Sequence, residues 1–220
     1  MSIKSNIRKE RIKRYFIDYS RKVGRLKTPM DIVLLWLKTS KYLPEKLVAV
    51  EPFGMHGLWH TRDYAELCSY NEIFEIEKDY YDFLKKSYPA FSCRMEDSIK
   101  AIQEKRLHRS AYNFIVIDNP YGGLYGDNYC EHFDLFYPAL DYLDDKAILV
   151  LNIVMDSDFK REVRERRISF YGKAEMLPKE ALEFYTREIE SKTNKRVVDS
   201  VFIPRNKTIG YLTFVVERKG

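Results

Sequence analysis

Apolar and polar positions along this chain follow two rhythms. Ile7, Ile12, Tyr15 and Phe16 recur at helical spacing inside a basic stretch, which predicts a helix from about Ile3 to Ser20. Pro29 opens a second helical stretch, Met30 to Lys41, carried by Ile32, Leu34, Leu35 and Leu37. Short apolar runs then alternate with helical segments. Leu47 to Val50 reads as a strand, followed by a loop holding Gly54 and Gly57 and by a helix from about Trp59 to Cys68. Glu72 to Ile76 reads as a second strand with Tyr80 to Ser87 as its helix, and Phe91 to Arg94 as a short third strand with Ser98 to Lys105 helical. Asn113 to Ile117 is the fourth strand, Tyr129 to Tyr142 a helix, and Ala147 to Leu151 the fifth strand. The end differs: a helix from Lys179 to Ser191, with Pro178 near its start, precedes two strand-like runs, Val197 to Pro204 and Ile209 to Glu217. Four residues, Arg205 to Thr208, join them as a hairpin. Such alternation predicts an α/β fold: a mostly parallel seven-stranded sheet, helices on both faces, and an antiparallel C-terminal hairpin. The expected division is a basic helical N-terminal extension over 1–42 and one domain over 43–220.

At 220 residues the chain can bury one sizeable core. Its 45% hydrophobic and 32% charged content fit a soluble globular protein, and no apolar run reaches membrane-spanning length. The basic start is not followed by an apolar segment, so no secretory signal is expected. Cys68, Cys93 and Cys130 are odd in number and lack a paired CxxC spacing, which is the usage of reduced thiols in a cytoplasmic or otherwise intracellular protein. Charge is uneven. Ten basic residues and two acidic ones, Glu10 and Asp18, give Met1 to Lys27 a charge of +8, so the remaining chain carries −3 of the total +5. Arg8, Lys9, Arg11, Lys13 and Arg14 concentrate this asymmetry, and with Arg164 and Arg167, beside Lys160, Arg161 and Arg166, they are the candidate phosphate contacts of a nucleic-acid partner. A solvated helix face is the plain alternative for the N-terminal run.

The most specific stretch is Phe114-Ile115-Val116-Ile117-Asp118-Asn119-Pro120-Tyr121-Gly122-Gly123, a β-branched run that ends in an acid, a rigid turn and an aromatic ring. Ligands of open α/β sheets bind beyond the carboxyl ends of strands, where Asp118 to Tyr121 fall. This stretch resembles the Asp-Pro-Pro-Tyr motif of class I S-adenosylmethionine (SAM)-dependent methyltransferases that modify exocyclic amino groups of nucleic-acid bases, with Asn119 in place of the first proline. Val48 to Gly57 similarly resembles that family's first motif, in which a strand ends in an acid and opens into a glycine-rich loop. Met55 and His56 stand where the family has its central glycine and a small residue. The Glu-Pro-Phe opening resembles adenine-specific members.

The resemblance implies a Rossmann-like fold, SAM as cofactor and a nucleic-acid substrate, with a protein partner also possible. It assigns cofactor binding to Glu51, Phe53, Gly54 and Gly57, with Glu51 at the amino end of the methionine part. Glu75, at the tip of the second strand, takes the ribose hydroxyls, because a carboxylate offers two acceptor oxygens. Asp97, preferred over Glu96, takes the adenine amino group, although Asp97 equally suits an N-cap. Catalysis falls to Asp118, Asn119, Pro120 and Tyr121: the Asp118 carboxylate and the Asn119 carbonyl accept the amine N–H bonds, Pro120 fixes the turn and Tyr121 stacks on the base. Adenine N6 is favoured. The Met55, His56 and Asn119 departures motivate a different class of reading, a catalytically inactive nucleic-acid-binding or partner subunit, and a small-molecule methyltransferase is a third. His56, His60, His108 and His132 lack a zinc spacing, and neither Gly-x-Ser-x-Gly nor a P-loop occurs, so no metal, hydrolase or nucleotide-triphosphatase site is expected.

Overall fold

The computed structural model describes residues 28–55, 57, 60–118, 132–155 and 161–220. In chain order the elements are α1 (Pro29–Thr39), β1 (Leu47–Glu51), α2 (Thr61–Tyr64, continued by a 3-10 turn Ala65–Leu67), β2 (Cys68–Glu75), α3 (Lys78–Ser87), β3 (Ser92–Met95), α4 (Ser98–Gln103), β4 (Tyr112–Ile117), α5 (Phe133–Leu140), β5 (Leu143–Val154), α6 (Arg161–Tyr171), α7 (Pro178–Lys192), β6 (Lys195–Pro204) and β7 (Ile209–Arg218). The seven strands form one sheet in the order β3-β2-β1-β4-β5-β7-β6. The pairs among β1 to β5 are parallel, and β7 runs antiparallel to both β5 and β6. The expected α/β architecture, including the closing hairpin, is present.

Alternation along the strands divides the core into two layers. Ile115, Ile117, Leu149, Leu151, Leu212 and Phe214 face α4, α5 and α7, together with Phe136, Tyr185 and Ile189. Leu47, Ala49, Phe114, Val116, Ile148, Val150, Tyr211 and Val215 face α1 and α2, through Met30, Val33, Trp36, Leu37 and Tyr64. Two-residue periodicity thus puts Glu51 and Asp118, each two positions beyond a residue of the second layer, on the α1 side.

Helix α1 starts where a capping box dictates. The Thr28 hydroxyl accepts the Asp31 N–H at 3.1 Å, and the Asp31 carboxylate accepts the Thr28 N–H at 3.2 Å. The same hydroxyl donates to Asp63 at 2.5 Å and so ties α1 to α2. This helix shares its core with the sheet, whereas the expected division at 42 placed it in an extension. Three further elements differ from expectation. Strand β5 spans twelve residues, because Leu143 to Lys146 extend its ladders to β4 and β7. Cys68 begins β2 instead of ending a helix. Helix α6 has no apolar periodicity for a sequence reading to detect. The expected helix over Ile3 to Ser20 lies outside the described residues.

Candidate active site

Strands β2 and β3 lie on one side of β1, and β4 and β5 on the other, so the sheet order reverses between β1 and β4. At such a switch point the chain leaves neighbouring strand tips in opposite directions and opens a crevice. Glu51 ends β1 and Asp118 follows β4, and the two strands pair through Ala49↔Phe114 and Val50↔Ile115. Two carboxylates, both buried, therefore stand side by side on one face.

His60 sits between them. Its Nε2 lies 2.7 Å from Glu51 Oε1 and its Nδ1 2.9 Å from Asp118 Oδ2. The ring N–H directions miss hydrogen-bond alignment, so these contacts are ion pairs. Glu51 also accepts the Thr61 hydroxyl at 2.9 Å on each oxygen and the Tyr64 hydroxyl on Oε2. Asp118 accepts Arg205 Nη1 on both oxygens, at 2.6 and 2.8 Å, and the Tyr211 hydroxyl on Oδ2 at 2.7 Å. Arg205 belongs to the β6–β7 turn, and its guanidinium also lies over the Tyr211 ring.

Two buried acids are thus neutralised by two cations, the condition under which buried charge is tolerable. Burial by itself would lower the His60 pKa, but the charges of Glu51 and Asp118 outweigh it and raise it to about 10. Burial would likewise raise Asp118, yet His60, Arg205 and the Tyr211 bond hold it down at about 2. Burial, reinforced by the adjacent carboxylates, pushes Tyr64 and Tyr211 well above the usual phenol range, so both remain donors. The acids differ in capacity. Each Glu51 oxygen holds two contacts, as does an ordinary carboxylate oxygen at capacity. Asp118 Oδ2 is crowded, while Oδ1 receives Arg205 alone among the described residues. By register Asn152 lies between Asp118 and Tyr211, and its side-chain amide has no hydrogen-bond partner among the described residues.

The glycine loop folds onto the neighbouring strand. Gly54 N–H donates to the Phe74 carbonyl at 2.9 Å. A Cβ on Gly54 would stand 2.2 Å from Ile73 Cγ2, and one on Gly57, where φ is +66°, 2.6 Å from the Tyr88 ring. These glycines are therefore required by packing against β2 and α3. Met55 takes φ +44°, so it holds the left-handed conformation with a side chain attached. Phe53 is half-buried against the α4–α5 side of the core.

Glu75 reaches the tip of β2, where one oxygen accepts the N–H groups of Ile76 and Glu77, both at 2.8 Å. Burial raises its pKa against those bonds and one from Met55. Ile76 and Met95 beside it are exposed apolar side chains, 51% and 56% accessible, and Glu75 pairs with Met95 in register. Asp97 caps α4, accepting from Ile99 and Lys100 N–H at 2.9 and 3.3 Å. Glu96 pairs with Arg94 and Arg106.

Several expected positions change meaning. Glu51 is enclosed by Thr61, Tyr64 and His60, which fill both of its oxygens. Arg164 is exposed, as a phosphate contact requires. Arg167 is fully buried, its Nε donating to the Ala174 carbonyl at 2.5 Å and its guanidinium over Tyr171, which corrects its place among the phosphate contacts. Asn119, Pro120 and Tyr121, and Arg8, Lys9, Arg11, Lys13 and Arg14, lie outside the described residues. The sequence reading missed His60, Arg205 and Tyr211. Arg205 and Tyr211 meet Asp118 across 87 and 93 residues, and their only local signal is a cation in a hairpin turn and a tyrosine in an apolar strand. Among the described residues no group of three or more His, Cys, Asp or Glu side chains is arranged to hold a metal ion, and no helix is long and apolar enough to cross a membrane.

The strand order and the antiparallel β7 make a Rossmann-like fold, which solved methyltransferase structures share. Solved structures with this fold include Trm1 from Pyrococcus horikoshii with S-adenosyl-L-methionine (TM-score 0.61, 11% identity, 94% of this chain and 56% of that one). TYW2 from M. jannaschii in complex with AdoMet gives 0.51 and 12%, covering 89% and 80%, and Trm5b from Pyrococcus abyssi gives 0.54 and 12%, covering 87% and 50%. The chain thus spans about half the length of Trm1 and Trm5b. At these identities the likeness is one of fold. No protein-family model matches the chain, and no curated protein matches it significantly.

Proposed function

We propose that this protein is a SAM-dependent methyltransferase acting on an exocyclic amino group of a nucleic-acid base, with adenine N6 favoured. The observation that carries the reading is Asp118: an ionised carboxylate at the switch point, with Oδ1 receiving one partner among the described residues where it can take two. The nitrogen lone pair of an exocyclic amine is delocalised into its ring. An anionic acceptor on one N–H draws that nitrogen toward tetrahedral geometry and aims its lone pair, so catalysis is mainly positioning and electrostatics. SAM supplies a sulfonium-bound methyl group, whose leaving group is neutral and needs no proton.

The residues at the tips of β2 and β3 suit the cofactor. Glu75 has an oxygen beyond the one that holds Ile76 and Glu77, which matches vicinal hydroxyls, and exposed Ile76 and Met95 offer apolar cover for a flat ring. Glu51 serves by holding His60. Asp97 keeps one oxygen for its cap and leaves the other for an amino group. Asn119, Pro120 and Tyr121 keep the roles their motif implies. Nucleic acid as substrate rests on the basic N-terminal segment, exposed Arg164, and the motif.

The test is calorimetric titration with SAM, followed by transfer of labelled methyl groups to mixed RNA and DNA. Binding together with label in methylated adenine supports the reading. Tight nucleic-acid binding with no SAM binding and no transfer replaces it with a binding subunit.

A further inference from the structure

We infer that His60 is a positioning residue: an imidazolium locked between Glu51 and Asp118 that, with Arg205 and Tyr211, turns Asp118 so that Oδ1 alone is left for an incoming N–H donor. The inference rests on the reading of Asp118 above and extends it to residues with no place in the Asp-Pro-Pro-Tyr motif.

The geometry makes the case. Three groups converge on Asp118, from three parts of the chain: His60 ahead of α2, Arg205 from the β6–β7 turn, and Tyr211 from β7. Arg205 spans both oxygens through one nitrogen, and His60 and Tyr211 both add to Oδ2. A partial turn of the carboxylate about its last bond breaks the Tyr211 bond and strains both ion pairs, so one oxygen position stays crowded and the other stays open. Glu51 is the counterweight. With Thr61 and Tyr64 it fills its own lone pairs and holds the far nitrogen of His60. The imidazolium therefore joins the loop after β1, where the cofactor is expected, to the acid after β4, where the acceptor amine is expected.

The titratable and charged groups facing His60 are Glu51 from β1, Tyr64 from α2 and Asp118 after β4, with Arg205 and Tyr211 behind Asp118. Two anions flank the ring directly, and Arg205 and the Tyr64 and Tyr211 phenols contact those anions rather than the ring nitrogens. Such an arrangement keeps the proton on His60 and the charge on Asp118 through the neutral range.

The experiment has two arms on the full chain. In the first, NMR of the unaltered protein follows the imidazole nitrogens. An imidazolium signature for His60 that persists at about pH 8.5, well above the ordinary midpoint near 6.5, is expected. Titration near the ordinary value overturns the lock without any variant or activity. In the second, His60→Gln and Tyr211→Phe are compared with the parent. For His60→Gln, kcat is expected to fall about 10- to 100-fold with the KM for SAM within about twofold. An acid limb is also expected to enter the rate profile as Asp118 loses one of its two cations. Tyr211→Phe, which takes one of three contacts from Oδ2 and keeps both ion pairs, is expected to lower kcat less and leave the profile unchanged. Equal kcat and an unshifted profile in His60→Gln overturn the positioning role while the methyltransferase reading stands. A parent that binds no SAM and transfers no methyl group defeats the underlying reading, and the positioning role with it.

Discussion

At the scale of single residues, the Glu51–His60–Asp118–Arg205 cluster makes stability depend on pH in a defined window. His60 is raised in the folded state to about 10, so its contribution is complete below the unfolded value near 6.5 and is lost as pH rises through about 10. Asp118 is lowered to about 2, so its contribution is present above the unfolded value near 4 and is lost as pH falls through about 2. Melting temperature should therefore decline from about pH 6.5 to pH 10, and His60→Gln should flatten that decline. A parent and variant that decline in parallel would show the alkaline loss to arise elsewhere. Gly54→Ala tests the loop. Its Cβ would meet the buried, branched Ile73 at 2.2 Å and the Phe74 carbonyl at 3.2 Å, and neither atom can swing away. A loss of about 1–3 kcal/mol in denaturant unfolding is expected. Glu51 and Asp118 were legible as acids ending apolar runs. Their saturation was not, because each partner approaches through folding and not through sequence spacing.

At the scale of elements, Thr28 and Arg167 give contrasting tests. Thr28→Ala removes the cap of α1 and the bond to Asp63, and should cost about 1–2 kcal/mol, read by chemical denaturation. Arg167→Ala should destabilise by about 2–4 kcal/mol, because it leaves the Ala174 carbonyl without this donor and opens a cavity among aromatic rings. Arg164→Ala, on the exposed side of the same helix, should leave stability within about 0.5 kcal/mol. The reverse order of effects would mean that α6 is turned the other way. Helix α6 explains why the two arginines looked alike in the sequence. Its charges, Arg161, Glu162, Arg164, Glu165, Arg166 and Arg167, surround the axis, so no apolar stripe marks the buried side. Strands β1, β4 and β7 were readable because burial on both faces makes them continuous apolar runs. The start of β5, Asp144-Asp145-Lys146, is polar and exposed, so its ladder could be found only from its partners.

At the scale of the whole molecule, charge and fold divide the labour. The alternation of strands and helices with a final hairpin was enough to read the architecture, since short connections and right-handed crossovers leave few sheet orders open. Substrate choice is a separate matter, because the same fold hosts many chemistries. What favours a polyanion is the asymmetry between a +8 segment over Met1 to Lys27 and a −3 remainder. Each phosphate neutralised by Lys or Arg releases condensed counterions. The logarithm of affinity therefore falls with the logarithm of salt by about 0.9 per contact on duplex and about 0.7 on single strands. Removing Met1 to Lys27 leaves Thr28 to cap α1. If about half of the ten basic residues touch phosphate, the slope on single-stranded RNA should become shallower by about 3 to 4 units, with the melting temperature little changed. Affinity for SAM should not move, since the strand-tip residues are untouched. Binding measured between about 50 and 200 mM salt on both proteins checks this. An undiminished slope in the shortened, folded protein would place the phosphate contacts on the body of the molecule, where exposed Arg164 is the first position to substitute.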